Sequence, residues 1–169
     1  MPISFIRQQK LVASVKNCFC GNKFTFEHCC KPIIDGKVDA INAEILMRSR
    51  YSAYVVKNYP YILQTYASTQ RTKLSVRKLV DSALDTKWLA LQVLDYRYHE
   101  KTAQVEFKAI YQIDVHYYVM HELSDFVFEG GKWFYISGVI KKDSGEFTPD
   151  RNSQCLCNSA KKFKKCCGK

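Results

Sequence analysis

Between Ala103 and Ile113 the chain alternates strictly. Odd positions read Ala, Val, Phe, Ala, Tyr and Ile, and even positions read Gln, Glu, Lys, Ile and Gln. That is the period-two signature of a half-buried strand. Residues 87–98, 118–129 and 132–140 read as further strands, and Gly130-Gly131 is a hairpin signal before the last of them. Upstream the period lengthens. Over 43–57, Ile45, Leu46, Tyr51, Tyr54 and Val55 recur near the helical repeat, and Asn42 is placed to cap the first turn. Asn58 caps a second helix over about 60–67, with Pro60 in its first turn, and Ser75 caps a third over 75–84. Three short helices followed by an antiparallel meander predict an α+β fold with the helices on one face of the sheet.

Length and composition narrow the class. The chain has 169 residues, of which 47% are hydrophobic and 25% charged. These values predict one globular domain with small appendages, and they exclude fibrous and wholly disordered classes. No apolar run approaches the ~18–20 residues that cross a bilayer, so no membrane span is expected. The first twenty residues carry Arg7, Lys10 and Lys16 but no continuous apolar stretch. The expected compartment is therefore the cytoplasm.

Charge and cysteine are both confined to the ends. Residues 1–37 hold six basic and two acidic residues, residues 151–169 hold six basic and none acidic, and residues 38–150 balance at fourteen of each. The formal excess of +10 thus lies wholly in the terminal segments. The same segments hold all eight cysteines: Cys18, Cys20, Cys29 and Cys30, then Cys155, Cys157, Cys166 and Cys167. Both sets read C-x-C-x8-C-C. Phe26 and Phe163 occupy equivalent places in the two copies.

Disulfides, iron–sulfur clusters and zinc all use such sets. The cytosol keeps thiols reduced, which disfavours disulfides. Iron–sulfur runs are usually built on C-x2-C. Zinc accepts four thiolates in a closed tetrahedral site and is the preferred reading, with two ions per chain. A 13-residue segment cannot bury a core large enough to offset chain entropy, so the metal supplies the folding energy. His28 beside Cys29 is a bystander in this reading, since four cysteines already suffice. Phe26 and Phe163 either cover the metal or dock on the body of the protein.

The segment RNSQCLCNSAKKFKKCCGK, residues 151–169, resembles the SEC-C motif, a zinc-binding tail named from the end of the SecA preprotein translocase motor. The family pattern is roughly C-x-C-G-S-G-x-K-[FY]-K-x-C-[CH]. Asn158 and Ala160 stand where glycines are usual. The N-terminal copy, CFCGNKFTFEHCC, keeps Gly21 and all four cysteines. With LMRSRYSAYV following that copy, the layout is similar to the YchJ-like family of bacterial proteins. The resemblance implies an NTF2-like middle domain over 38–150, a cone of helices packed on a curved antiparallel sheet. It also implies a SEC-C-like zinc module at each end, over 16–37 and 151–169. It implies no reaction.

Function follows from where the charge sits. Lys161, Lys162, Lys164 and Lys165 surround Phe163 in the last module. They predict docking on an acidic protein surface or on the ribosome or other RNA. Lysines are point charges without base-reading geometry, so that docking is not sequence-specific. The bland alternative is a solvated face that offsets the anionic zinc centre. The alternative function is a small-ligand-binding or catalytic cone with the zinc modules as clamps. Its candidate polar groups are Asp114, His116, His121, Glu122 and Tyr135, with His121 and Glu122 on opposite faces of one strand. Arg48 and Arg50 either bind an anion or pair with Glu44 or the sheet edge, and the second is preferred. No hydrolase, phosphate-loop or metalloprotease motif is present, and an enzyme is the less favoured class.

Overall fold

Asparagine and serine start each of the three expected helices, for one physical reason: the first amides of a helix lack partners, and a short polar side chain supplies one. Asn42 accepts from the Ile45 amide and opens α2, Ala43–Val55. Asn58 accepts from the Tyr61 amide and opens α3, Tyr59–Gln64, with Pro60 in the first turn. Ser75 accepts from the Lys78 amide and opens α5, Val76–Ser82. Two further single-turn helices, α1 (Lys31–Ile34) and α4 (Ser68–Arg71), are too short to show periodicity in the sequence. This computed structural model describes residues 17–156 and 159–169. The segment carrying Arg7, Lys10 and Lys16, and Cys157 with Asn158, lie outside them.

The strands β1 (Lys87–His99), β2 (Thr102–Ile113), β3 (His116–Glu129) and β4 (Lys132–Ile140) form an open antiparallel meander. A short β5, Gly145–Phe147, pairs with β3 at Tyr117–Val119. It carries too few residues to declare a strand in the sequence. Gly130 and Gly131 both have positive φ and close the β3–β4 hairpin, as a type I′ turn requires. Asp114 takes φ 50° and, with Val115, turns the chain between β2 and β3, so Asp114 leaves the face that His116 begins. Irregularities at Trp88/Ala90 and Val93/Asp95 on β1, and at Ile136 on β4 opposite Asp125/Phe126, bend the strands they interrupt.

One face of the sheet is buried against the helices. Ala103, Val105, Phe107 and Ala109, the odd positions of the alternation, are buried on β2, and Glu122, Ser124 and Phe126 lie opposite them on β3. α2 is buried around most of its girth, including Ser49, Arg50 and Ser52. That is because it packs on the sheet, on α1 and on α3 at once. Small polar residues permit this closeness: Ser49 Oγ lies 2.6 Å from the Tyr61 hydroxyl, and Ser52 Oγ lies 3.8 Å from Cys18 Sγ. Cys18, Cys20, Cys30 and Ile34 thus join the same apolar cluster as Leu46, Met47 and Leu91. Among the described residues no helix is long and apolar enough to cross a membrane.

Candidate functional site

The C-x-C turn and the Cys-Cys corner bring four sulfurs together near the start of the described chain. The Cys18 amide donates to the Phe24 carbonyl at 2.7 Å, and a 3-10 turn over Phe26–His28 delivers Cys29 and Cys30. The sulfurs of Cys18, Cys20, Cys29 and Cys30 all lie within 4.8 Å of one another. Cys20 Sγ is 3.7 Å from Cys29 Sγ, which is 3.9 Å from Cys30 Sγ. Four thiolates ~2.3 Å from a zinc ion stand about 3.8 Å apart. The donor set therefore fits zinc in chemistry and in size.

Electrostatics agree. Hydrogen bonds from the neighbouring Cys20 and Cys30 hold the Cys18 thiol far below its ordinary range. Burial, and then the negative charge of Cys20 and Cys18, pushes Cys29 up to about 12. Contact with the Cys18 and Cys20 sulfurs raises Cys30 further, and burial adds to it. Packed this closely without a cation, the sulfurs cannot all ionise. A dication removes the conflict. Arg48 locks the loop from outside: Nη1 donates to the Cys20 carbonyl at 2.8 Å, while Nε donates to Glu44 at 2.8 Å. Its expected pairing with Glu44 is thus present. His28 is exposed and bonds Thr25 Oγ1 through Nδ1. Phe26 packs on Phe19, ring centroids 5.1 Å apart, and on the main core.

Among the described residues the second cluster repeats backbone bonds of the first 137 positions later, by subtraction of Cys18 from Cys155. The Cys155 amide donates to the Lys161 carbonyl at 2.7 Å, a 3-10 turn covers Phe163–Lys165, and the Cys166 amide donates to the Phe163 carbonyl as Cys29 does to Phe26. The sulfurs of Cys155, Cys166 and Cys167 lie within 4.8 Å of one another; Cys157, the expected fourth ligand, lies outside the described residues. Lys161, Lys162, Lys164 and Lys165 are exposed. Phe163, expected among them on the docking face, is instead 6% exposed. Its ring sits edge-on to Tyr117 at 5.3 Å, because the apolar face of so small a module finds cover only on the sheet. The Tyr117 hydroxyl also donates to the Cys167 carbonyl at 2.9 Å.

The candidate polar groups of the middle domain separate by face. His121 lies on the outer face, 2.9 Å from Glu106 and 2.6 Å from Asp143. Lys108 and His121 hold the Asp143 carboxyl down at about 2. His116 pairs with Glu146 at the surface. Only Glu122 and Tyr135 meet inside: the Tyr135 hydroxyl donates to Glu122 Oε1 at 3.0 Å, and burial, then the Glu122 charge, raises the phenol. They line a cavity of about 350 Å³ between α2 and the sheet, with Trp88, Tyr111 and Met120. Arg50 lines it too. It pairs with neither Glu44 nor the sheet edge; Nη1 donates to the Ile62 carbonyl at 3.0 Å and to Thr65 Oγ1 at 2.6 Å. The sequence held one signal for this: Arg50 follows Leu46 by four positions and Met47 by three, on the apolar face of α2.

Comparison with known proteins matches both parts of the chain. The family model described as YchJ, middle NTF2-like domain, matches residues 42–138, and the SEC-C motif model matches residues 151–169. A UPF0225 protein of Vibrio parahaemolyticus is 35% identical over 90% of this chain and 98% of its own length. One of Haemophilus influenzae is 38% identical over 92% and 93%. The solution structure of a SEC-C motif containing protein from Rhodopseudomonas palustris superposes with a TM-score of 0.71 at 30% identity, covering 73% of this chain and 98% of that one. The crystal structure of another, from Psychrobacter arcticus, gives 0.64 at 30% identity, over 92% and 97%.

Proposed function

The chain belongs to the UPF0225 family, with a YchJ-type NTF2-like middle domain and a C-terminal SEC-C motif, and from that premise we propose that it is a zinc-binding interaction protein. Each cysteine set holds one zinc ion: Cys18, Cys20, Cys29 and Cys30 in a SEC-C-like N-terminal module, and Cys155, Cys157, Cys166 and Cys167 in the C-terminal one. The N-terminal ion consolidates the fold. The C-terminal module docks on an acidic protein surface through Lys161, Lys162, Lys164 and Lys165.

One observation carries the docking reading. The four lysines are exposed, and none forms an ion pair among the described residues. Four thiolates and a dication leave about −2 on the module, so the six basic residues of 151–169 keep an excess of about +4. With Phe163 turned onto Tyr117, that lysine face offers no aromatic ring on which bases could stack, which favours a protein partner over single-stranded RNA. Replacing the four lysines with Gln should leave two zinc ions per chain by elemental analysis and abolish partner capture from extract. Capture by the parent protein should weaken as salt rises. Capture that survives both the substitution and high salt defeats the docking reading. Loss of capture on ribonuclease treatment assigns the surface to RNA.

A further inference from the structure

Buried charges in proteins are normally paired with each other. The cavity beneath α2 departs from that rule in a specific way. Arg50 is 6% exposed and Glu122 9%, and both line the same space. Yet no ion pair joins them among the described residues. Arg50 uses Nη1 for Ile62 and Thr65, and its guanidinium carbon lies 4.5 Å and 4.6 Å from the ring centroids of Tyr66 and Tyr135. Nε and Nη2 have no protein partner, and neither is sealed off as a buried unsatisfied atom. Arg50 lines the cavity, and Nε with Nη2 form a two-donor edge of the geometry that grips a carboxylate. Glu122 is also half used. Oε1 accepts from Ser124 Oγ at 2.5 Å and from the Tyr135 hydroxyl, while Oε2 has no hydrogen bond among the described residues and is not sealed from solvent.

The remainder of the wall is aromatic and apolar, with Trp88, Tyr111 and Met120 prominent. About 350 Å³ lies at the small end of the range for organic ligands. One positive and one negative group, unpaired in one neutral cavity, ask for a ligand with the same two charges. A phosphate dianion would face the Glu122 carboxylate, and a simple amine would leave Arg50 without a partner.

We propose that the cavity binds a zwitterionic α-amino acid with an aromatic or long apolar side chain. The carboxylate sits on Nε and Nη2 of Arg50, the ammonium on Oε2 of Glu122, and the side chain lies against Trp88, Tyr111 and Met120. The site is separate from both cysteine clusters and shares no residue with the lysine face.

Titration of the full-length, zinc-loaded protein with phenylalanine, tyrosine, tryptophan, leucine and methionine, each alone and followed by amide NMR, tests the proposal. At least one should bind saturably and shift the resonances of Trp88 and Tyr135. Removing its carboxylate, or its ammonium, should weaken binding more than about tenfold, as loss of a charge-assisted hydrogen bond does. Glu122→Gln should weaken the amino acid by a similar factor and leave the deaminated acid unaffected. Met120→Trp fills the apolar end without touching either charge, and should abolish binding while circular dichroism and zinc content stay unchanged. Absence of saturable binding by all five, equal binding of the deaminated acid, or binding that survives Met120→Trp overturns the proposal.

Discussion

The two cysteine modules share one backbone and sit in opposite surroundings. In the first, Cys20 is 0% exposed, Arg48 grips its carbonyl, Ser52 touches Cys18, and Gly21 has φ +84° with its missing Cβ only 3.3 Å from the Leu91 carbonyl. In the second, contact with the sheet centres on Tyr117, through its ring and its hydroxyl. The same thirteen-residue design therefore carries two energetic meanings. Where the cluster is continuous with the apolar core, metal binding and domain folding are expected to be one event. Where it meets the sheet at Tyr117, metal binding is expected to fold the module with little effect on the domain.

The largest effect belongs to Cys20→Ser. Losing a ligand at the core should destabilise the whole domain by on the order of 4 kcal/mol or more, read as a lower urea midpoint of Trp88 and Trp133 fluorescence. Loss of zinc with an unchanged midpoint would put the two modules on equal footing. Next is Arg48→Met, which releases the Cys20 carbonyl and Glu44. It should cost about 2 kcal/mol by the same measurement, as expected for hydrogen bonds from a charged donor. Tyr117→Phe keeps the ring and drops one hydrogen bond, so it should loosen the C-terminal module by about 1 kcal/mol. Faster amide exchange at Phe163–Gly168, with β2 unaffected, is the readout. Smallest for the domain is Cys155→Ser. It should release one zinc ion of two and leave the fluorescence midpoint within about 0.5 kcal/mol. A global shift would make the second module a clamp as well.

Much of this contrast was hidden in the sequence, and the reason is range. Local rules found what local forces decide. Asn42, Asn58 and Ser75 cap because a polar side chain reaches an amide three residues on. The alternation over Ala103–Ile113 survives because one face of β2 is buried. The cysteine spacing announced the clusters of Cys18, Cys20, Cys29 and Cys30 and of Cys155, Cys166 and Cys167 because the cysteines of each set lie within thirteen residues. What failed depends on contacts between distant segments. Phe163 was expected among the docking lysines, with docking on the body as the other reading, and only Tyr117, 46 positions upstream by subtraction, decides for the body. Arg50 was expected to pair with Glu44 or the sheet edge, because only its place on the apolar face of α2, and nothing in the local sequence, points to the Tyr66 and Tyr135 rings that enclose it.

The seat of the second module also has a mechanical side. Tyr117 stands at the head of β3, the strand bonded to β2, β4 and β5. A partner pulling on the lysine face loads the protein through that residue. The sheet resists because β3 is held by ladders on both sides, and many backbone bonds would have to break together. The joint at Tyr117 includes a hydrogen bond to the Cys167 carbonyl and an edge-on contact with the Phe163 ring. Under tension that joint is expected to yield before the sheet, because fewer bonds must break at once. Tyr117 thus acts as a fuse between whatever the lysines grip and the cavity behind the sheet.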